Sequence, residues 1–215
     1  MAIGKFNSDK ELIRFARRFL NNHVRTFRKD IAICLTANKH RDHAYFPALT
    51  TCIAFTDFMS GLYAGKLDGH GLAELKVYAL RFMNSTNYDS LRLEILYEAI
   101  RHKTAHLAYP YVVFDTATKP RRFIGQKARR VTWTVCAGRR ALPIEVMDLT
   151  KPRSIVRAPT PWPISYNCRV TISVRKFYAD IVKSIYGPSG YLRNLEVDKN
   201  AREHFERCMV LYFPA

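Results

Sequence analysis

From Leu96 to Leu107 the chain reads Leu-Tyr-Glu-Ala-Ile-Arg-His-Lys-Thr-Ala-His-Leu, so an arginine, a lysine and two histidines fall within six positions. Arg101, His102 and His106 are the side-chain types that cleaving a phosphodiester without a metal requires. Histidine titrates near neutral pH and exchanges protons with a 2′-hydroxyl or a leaving oxygen. Arginine keeps its charge and offers a planar fork matched to phosphate oxygens. Such chemistry needs no cofactor, and none is expected. The structural alternative is that Arg101, Lys103 and His106 are cations at a helix C-terminus, where they favour the macrodipole and the last carbonyls.

The Arg-x4-His spacing of Arg101 and His106 is weak by itself. With 22 arginines, seven histidines and gaps of four to six residues allowed, about two matches arise by chance. Arg18 and Arg17 both reach His23 in this way. Context separates Arg101 from these: a polar neighbour, an amphipathic stretch before it, and Pro110 soon after. On an ideal helix, residues five apart are rotated by about 140°, so one straight helix does not aim both side chains at one phosphate. Either the helix loosens near its end, or a second protomer brings its own copy across a two-fold axis. His102 and His106, at i and i+4, share a face.

The elements that must position this cluster are mostly helical. Ser8 and Glu11 have the spacing of a capping box, and Leu12, Phe15, Ala16, Phe19, Leu20, Val24, Phe27 and Ile31 recur at helical intervals. Arg14, Arg17, Arg18, Arg25 and Arg28 form the opposite, basic face. A second helix is expected over residues 44–64, stopping at Gly65, and a third over 72–82. A fourth, over 88–107, carries the cluster at its end. Short polar turns between them suggest an up-and-down bundle. His40 and His43 lie in one such connector without further ligands in register, which argues against a metal site there.

After Pro110 the pattern changes. Residues 117–169 hold twelve Lys and Arg against two acids, so +10 of the total +17 lies there. Short β-like runs cover 122–125, 130–136 and 142–147, with residues 137–140 as a hairpin turn and 151–163 as loop. Helical spacing returns at Val170, Val174, Phe177, Ile181 and Ile185, and a last helix is expected over 197–212. The fold expected is therefore mainly α: a helical bundle over 8–116, a basic β-hairpin insertion over 117–169, and C-terminal helices over 170–215 that complete the bundle. Within the insertion Arg121, Arg122, Lys127, Arg129, Arg130, Arg139 and Arg140, interleaved with Phe123 and Trp133, suit RNA backbone contact with occasional stacking. A solvated hairpin is the alternative.

The run from Tyr97 to Pro110 resembles the signature of the HEPN (higher eukaryotes and prokaryotes nucleotide-binding) superfamily. That signature is an Arg, usually followed by a polar residue, and a His four to six positions on, at the end of a helix in a four- or five-helix bundle. The preceding helix, with the run from Thr51 to Gly65 (Thr-Cys-Ile-Ala-Phe-Thr-Asp-Phe-Met-Ser-Gly-Leu-Tyr-Ala-Gly), is also similar to bacterial members of uncharacterised type. The resemblance covers about residues 8–110 and the C-terminal helix, and not the basic insertion. It implies a dimeric, metal-independent ribonuclease or an inactive nucleotide- or RNA-binding relative. It places Arg101 and His106 at the motif positions and His102 at the adjacent polar one.

Composition agrees with a polyanionic partner. A net charge of +17 and a pI near 9.9 favour nucleic acid, a nucleotide or an anionic surface, and 48% hydrophobic residues indicate a folded chain. Five scattered cysteines argue against a disulfide framework or a four-cysteine zinc site. No apolar signal core opens the chain and no stretch has the length of a span, so a cytoplasmic location and no membrane contact are expected. Two readings stand. One is a HEPN-like homodimer that binds and cleaves RNA. The other is a non-catalytic module for nucleotide, RNA or protein, or a toxin restrained by an antitoxin protein.

Overall fold

The structure is a computed structural model describing residues 6–36, 44–69, 71–83, 86–97, 113–115, 130–136, 138, 140, 142–156 and 162–213. Helix α1 spans Asp9–Leu35 and buries Leu12, Ala16, Phe19, Leu20, Val24, Phe27, Ile31 and Leu35, the stripe its spacing predicts. Ser8 Oγ accepts the Glu11 amide at 3.3 Å, whereas the Glu11 carboxylate accepts from Asn7 rather than Ser8, 3.0 Å away.

Helix α2, Tyr45–Ala64, is the central element: it packs on α1 and three other helices and buries residues around most of its circumference. It stops at Gly65, where φ is 71° and the Lys66 amide returns to the Gly61 carbonyl at 3.0 Å. A Cβ at that position would lie 3.1–3.2 Å from His204, so glycine answers both the backbone and the space.

Helix α3 covers Leu72–Phe82, the range expected, and α4 covers Ser90–Glu94. The Glu74 carboxylate accepts the Gly71 amide at 2.9 Å at the start of α3. That hydrogen bond, helped by Lys66, holds the Glu74 carboxyl below its ordinary value of 4.5. A depressed folded-state value means that the carboxylate stabilises the fold above pH 4.5 and that this contribution is lost as pH falls through the lower value. Glu74→Gln is expected to cost about 0.3–1.5 kcal/mol at pH 7. Urea unfolding at pH 7 and at pH 3 should show the difference between variant and parent shrinking in acid.

Four strands follow: β1 Val113–Asp115, β2 Arg130–Cys136, β3 Ile144–Ile155 and β4 Ile164–Ser173. Helices α5 Val174–Tyr186, α6 Tyr191–Val197 and α7 Lys199–Tyr212 complete the described chain. It is mainly helical. The last helix, expected over 197–212, is α7, which Asp198 caps by accepting the Asn200 and Ala201 amides and so separates from the short α6 before it. Among the described residues no helix is long and apolar enough to cross a membrane.

The sheet order is β1-β2-β4-β3, and here the structure corrects the expectation. Strands β2 and β3 are not neighbours, so they do not pair as the expected hairpin. Strand β4 lies between them, parallel to β2 (Val131 opposite Cys168) and antiparallel to β3 (Val146 opposite Val170). The reason lies in the side chains. Cys168, Val170 and Ile172 are fully buried and Thr171 nearly so, which suits the strand with partners on both edges. Val170 thus belongs to a strand, and helical geometry begins only at Val174. Residues 151–155, expected as loop, extend edge strand β3, with Pro152 inside its irregularity between Asp148 and Arg153.

The sheet is not a detached appendage. Val131, Trp133, Ile144, Cys168, Val170 and Ile172 belong to the same apolar core as the helices. Trp133 packs on Phe46 of α2, ring centroids 6.2 Å apart, and Arg92 Nε of α4 donates to the Ile144 carbonyl at 2.9 Å.

Candidate nucleic-acid interface

The approach to the Arg-His cluster is firmly anchored. Asp89 caps α4 by accepting the Arg92 amide at 2.8 Å and also pairs with the Arg92 guanidinium. Glu94 is buried, ion-paired with Lys76 of α3, and accepts the Ser90 hydroxyl at 3.0 Å. Leu93, Ile95 and Leu96 point into the core and Tyr97 is half-buried against it. After Glu94 the backbone widens from α to π geometry over residues 95–97. A π segment interrupts the regular 3.6-residue turn, and such interruptions recur at functional sites. Arg101, His102 and His106 themselves lie outside the described residues, as do His40, His43 and Tyr109.

Of the basic residues expected to contact RNA, Arg121, Arg122, Lys127, Arg129 and Arg139 also lie outside the described residues, with Phe123. Arg130 opens β2, exposed, with its amide donating to Asn167 Oδ1 at 2.7 Å. Lys151 and Arg153 are exposed on β3. Trp133 is not a stacking residue: it is 9% exposed and faces the core, because its β2 position lies on the helix-facing side. Among the described residues of this basic stretch the exposed aromatic is Trp162, at 62%.

The structure also assembles cations that are far apart in sequence. A half-open cavity of about 770 Å³ lies between α1 and α5. Its described lining includes Arg28, Arg140, Arg175 and Lys176, around a floor of Ile31, Ala32, Leu35, Tyr178 and Ala179. Arg28 belongs to the exposed face of α1, read from sequence only as a basic helix surface. Arg175 and Lys176 fall in the first turn of α5, which carries no acid. Two cations at a helix N-terminus oppose the macrodipole, but helical spacing in the sequence runs back to Val170 and so hides that they stand at the helix start.

Buried polar links hold the groove. Lys176 Nζ sits 2.9 Å from Asp180 Oδ1, and the Tyr88 hydroxyl donates to Asp180 Oδ2 at 3.1 Å. Burial first, and the adjacent Asp180 charge second, push the Tyr88 phenol far above its ordinary value. Tyr88 directly precedes Asp89, so this network ties the start of α4 to the groove-lining helix. Tyr178 leans on Phe27 with ring centroids 5.3 Å apart, and Phe27 stacks on Phe55 at 4.3 Å.

The cysteines are free thiols, of which Cys52, Cys168 and Cys208 are buried. Burial pushes the Cys208 thiol up to about 11 and Cys52 higher still, so neither is a thiolate at neutral pH. Among the described residues there is no group of three His, Cys, Asp or Glu placed to hold a metal ion. Compared with family models, with curated proteins and with solved structures, the chain matches none.

Proposed function

We propose that this protein binds single-stranded RNA through its basic surface and cleaves it without a metal, as a homodimer of HEPN-like type. The observation that supports this best is the excess of positive charge along 117–169 and around the α1–α5 groove. In the proposed reaction His106 takes the proton from a 2′-hydroxyl as its oxygen attacks the adjacent phosphorus. The bond from phosphorus to the 5′-oxygen breaks, giving a 2′,3′-cyclic phosphate, and His102 returns a proton to the departing oxygen. Arg101 holds the non-bridging oxygens as charge gathers there. A second protomer that brings its own copy across a two-fold axis supplies the departure from straight-helix geometry that the Arg-x4-His spacing needs.

The second reading is a non-catalytic binding module for RNA, nucleotide or a partner protein, and the same exposed cations favour it. Both readings require electrostatic binding, so RNA affinity should fall steeply with salt. The log–log slope should be about −0.7 for each phosphate neutralised on a single strand. Replacing Arg129 and Arg130 together by alanine should make the slope shallower by about one to two contacts. A flat salt response of the parent protein would remove both RNA readings.

A further inference from the structure

We infer that the α1–α5 groove seats one nucleoside phosphate, either a unit of single-stranded RNA or a free nucleotide. The inference rests on the RNA-binding reading and is independent of cleavage at Arg101 and His106. Size is the first argument. A cavity of about 770 Å³ falls within the range typical of small-ligand sites.

Charge is the second. Four cations and no acid appear among the described lining residues. Arg140 lies 3.7 Å from Glu145 and Lys176 is 2.9 Å from Asp180. Arg28 and Arg175 have no carboxylate within ion-pair distance among the described residues, so the cavity keeps a net positive field. Arg175 and Lys176 also stand at the positive end of the 13-residue helix α5, an arrangement that raises the energy of the empty groove. A bound phosphate offsets both terms at once.

The floor is the third argument. Ile31, Leu35, Ala179 and the Tyr178 ring form an apolar surface that an inorganic anion would leave unused. The planar face of a base covers such a surface, and Tyr178 is held in place by Phe27 beneath it. A neutral nucleoside would use the floor and leave the cations unanswered. Only a ligand with a phosphate and a flat apolar face matches both.

The test is fluorescence anisotropy of a labelled eight-nucleotide single-stranded RNA, with AMP, adenosine and inorganic phosphate as competitors. The proteins are the parent, the Arg28→Glu/Arg175→Glu double variant, and Ala179→Glu, which places a carboxylate on the floor. Arg28, Arg175 and Ala179 are exposed, so parental thermal midpoints are expected for all three proteins. Each variant should bind RNA at least about tenfold more weakly, as loss of charge-assisted phosphate contacts implies. Competition by AMP but not adenosine identifies a groove open to free nucleotides. RNA affinity that falls in the variants without AMP competition identifies an RNA unit as the ligand. Parental RNA affinity in both variants overturns the inference. So does adenosine or inorganic phosphate competing as well as AMP. A parent that binds the RNA but leaves it whole removes the cleavage reading and leaves the groove standing.

Discussion

Replacing His106 by alanine is expected to reduce RNA cleavage by at least about a hundredfold, while RNA affinity stays within about twofold of the parent. The asymmetry follows from the roles assigned. Proton transfer at the 2′-oxygen matters only as the bond forms, so its loss appears in the rate. The groove and the basic strands, to which we assign most of the phosphate contacts, are untouched. Arg101→Ala should also abolish cleavage, but with a modest loss of affinity, because a guanidinium on the phosphate acts in the bound state as well. If the site is shared across a two-fold axis, mixing the two inactive variants should restore part of the activity through hybrid dimers. The readout is the rate of fragment formation under single-turnover conditions, beside anisotropy for binding.

Asp180→Ala should be among the most damaging single substitutions in the described core. Asp180 is 6% exposed and accepts both Lys176 and Tyr88. Lys176 is partly exposed and turns to solvent when its partner goes, so its share of the cost is small. Tyr88 is fully buried and its hydroxyl is left without that acceptor. The expected loss is about 2–4 kcal/mol, or about 5–15 °C in Tm. Adding Tyr88→Phe to Asp180→Ala removes the orphaned hydroxyl and should recover part of the loss. A double variant no more stable than Asp180→Ala alone would show that the cost arises elsewhere.

Local signals made the helices legible. The α1 stripe, the Gly65 stop and the bounds of α3 need only nearest-turn patterns, and the structure has them where the sequence places them. Strand β4 was harder because two periods overlap in it. Val170, Val174 and Phe177 fit a helix, while Cys168, Val170 and Ile172 alternate as a strand, and only pairing with both β2 and β3 decides between them. Trp133 looked like a stacking residue among arginines, but the face of β2 that meets α2 makes it core. The groove was illegible for a plainer reason. It joins Arg28 to Arg175 across about 147 positions, and nothing in either local run shows that α1 and α5 lie side by side. The Arg-His cluster is the reverse case: fully legible as a pattern, and outside the described residues.

The central claim is cleavage of RNA by side chains alone, and the most direct measurement is made in EDTA. Parent protein freed of metals is incubated with mixed single-stranded RNA, and the new ends are identified by mass spectrometry. The account predicts that cleavage survives chelation and leaves 2′,3′-cyclic phosphate and 5′-hydroxyl ends, and that His106→Ala makes none of them. RNA that stays intact at high protein concentration, or cleavage that stops on chelation and returns with added metal, would contradict it.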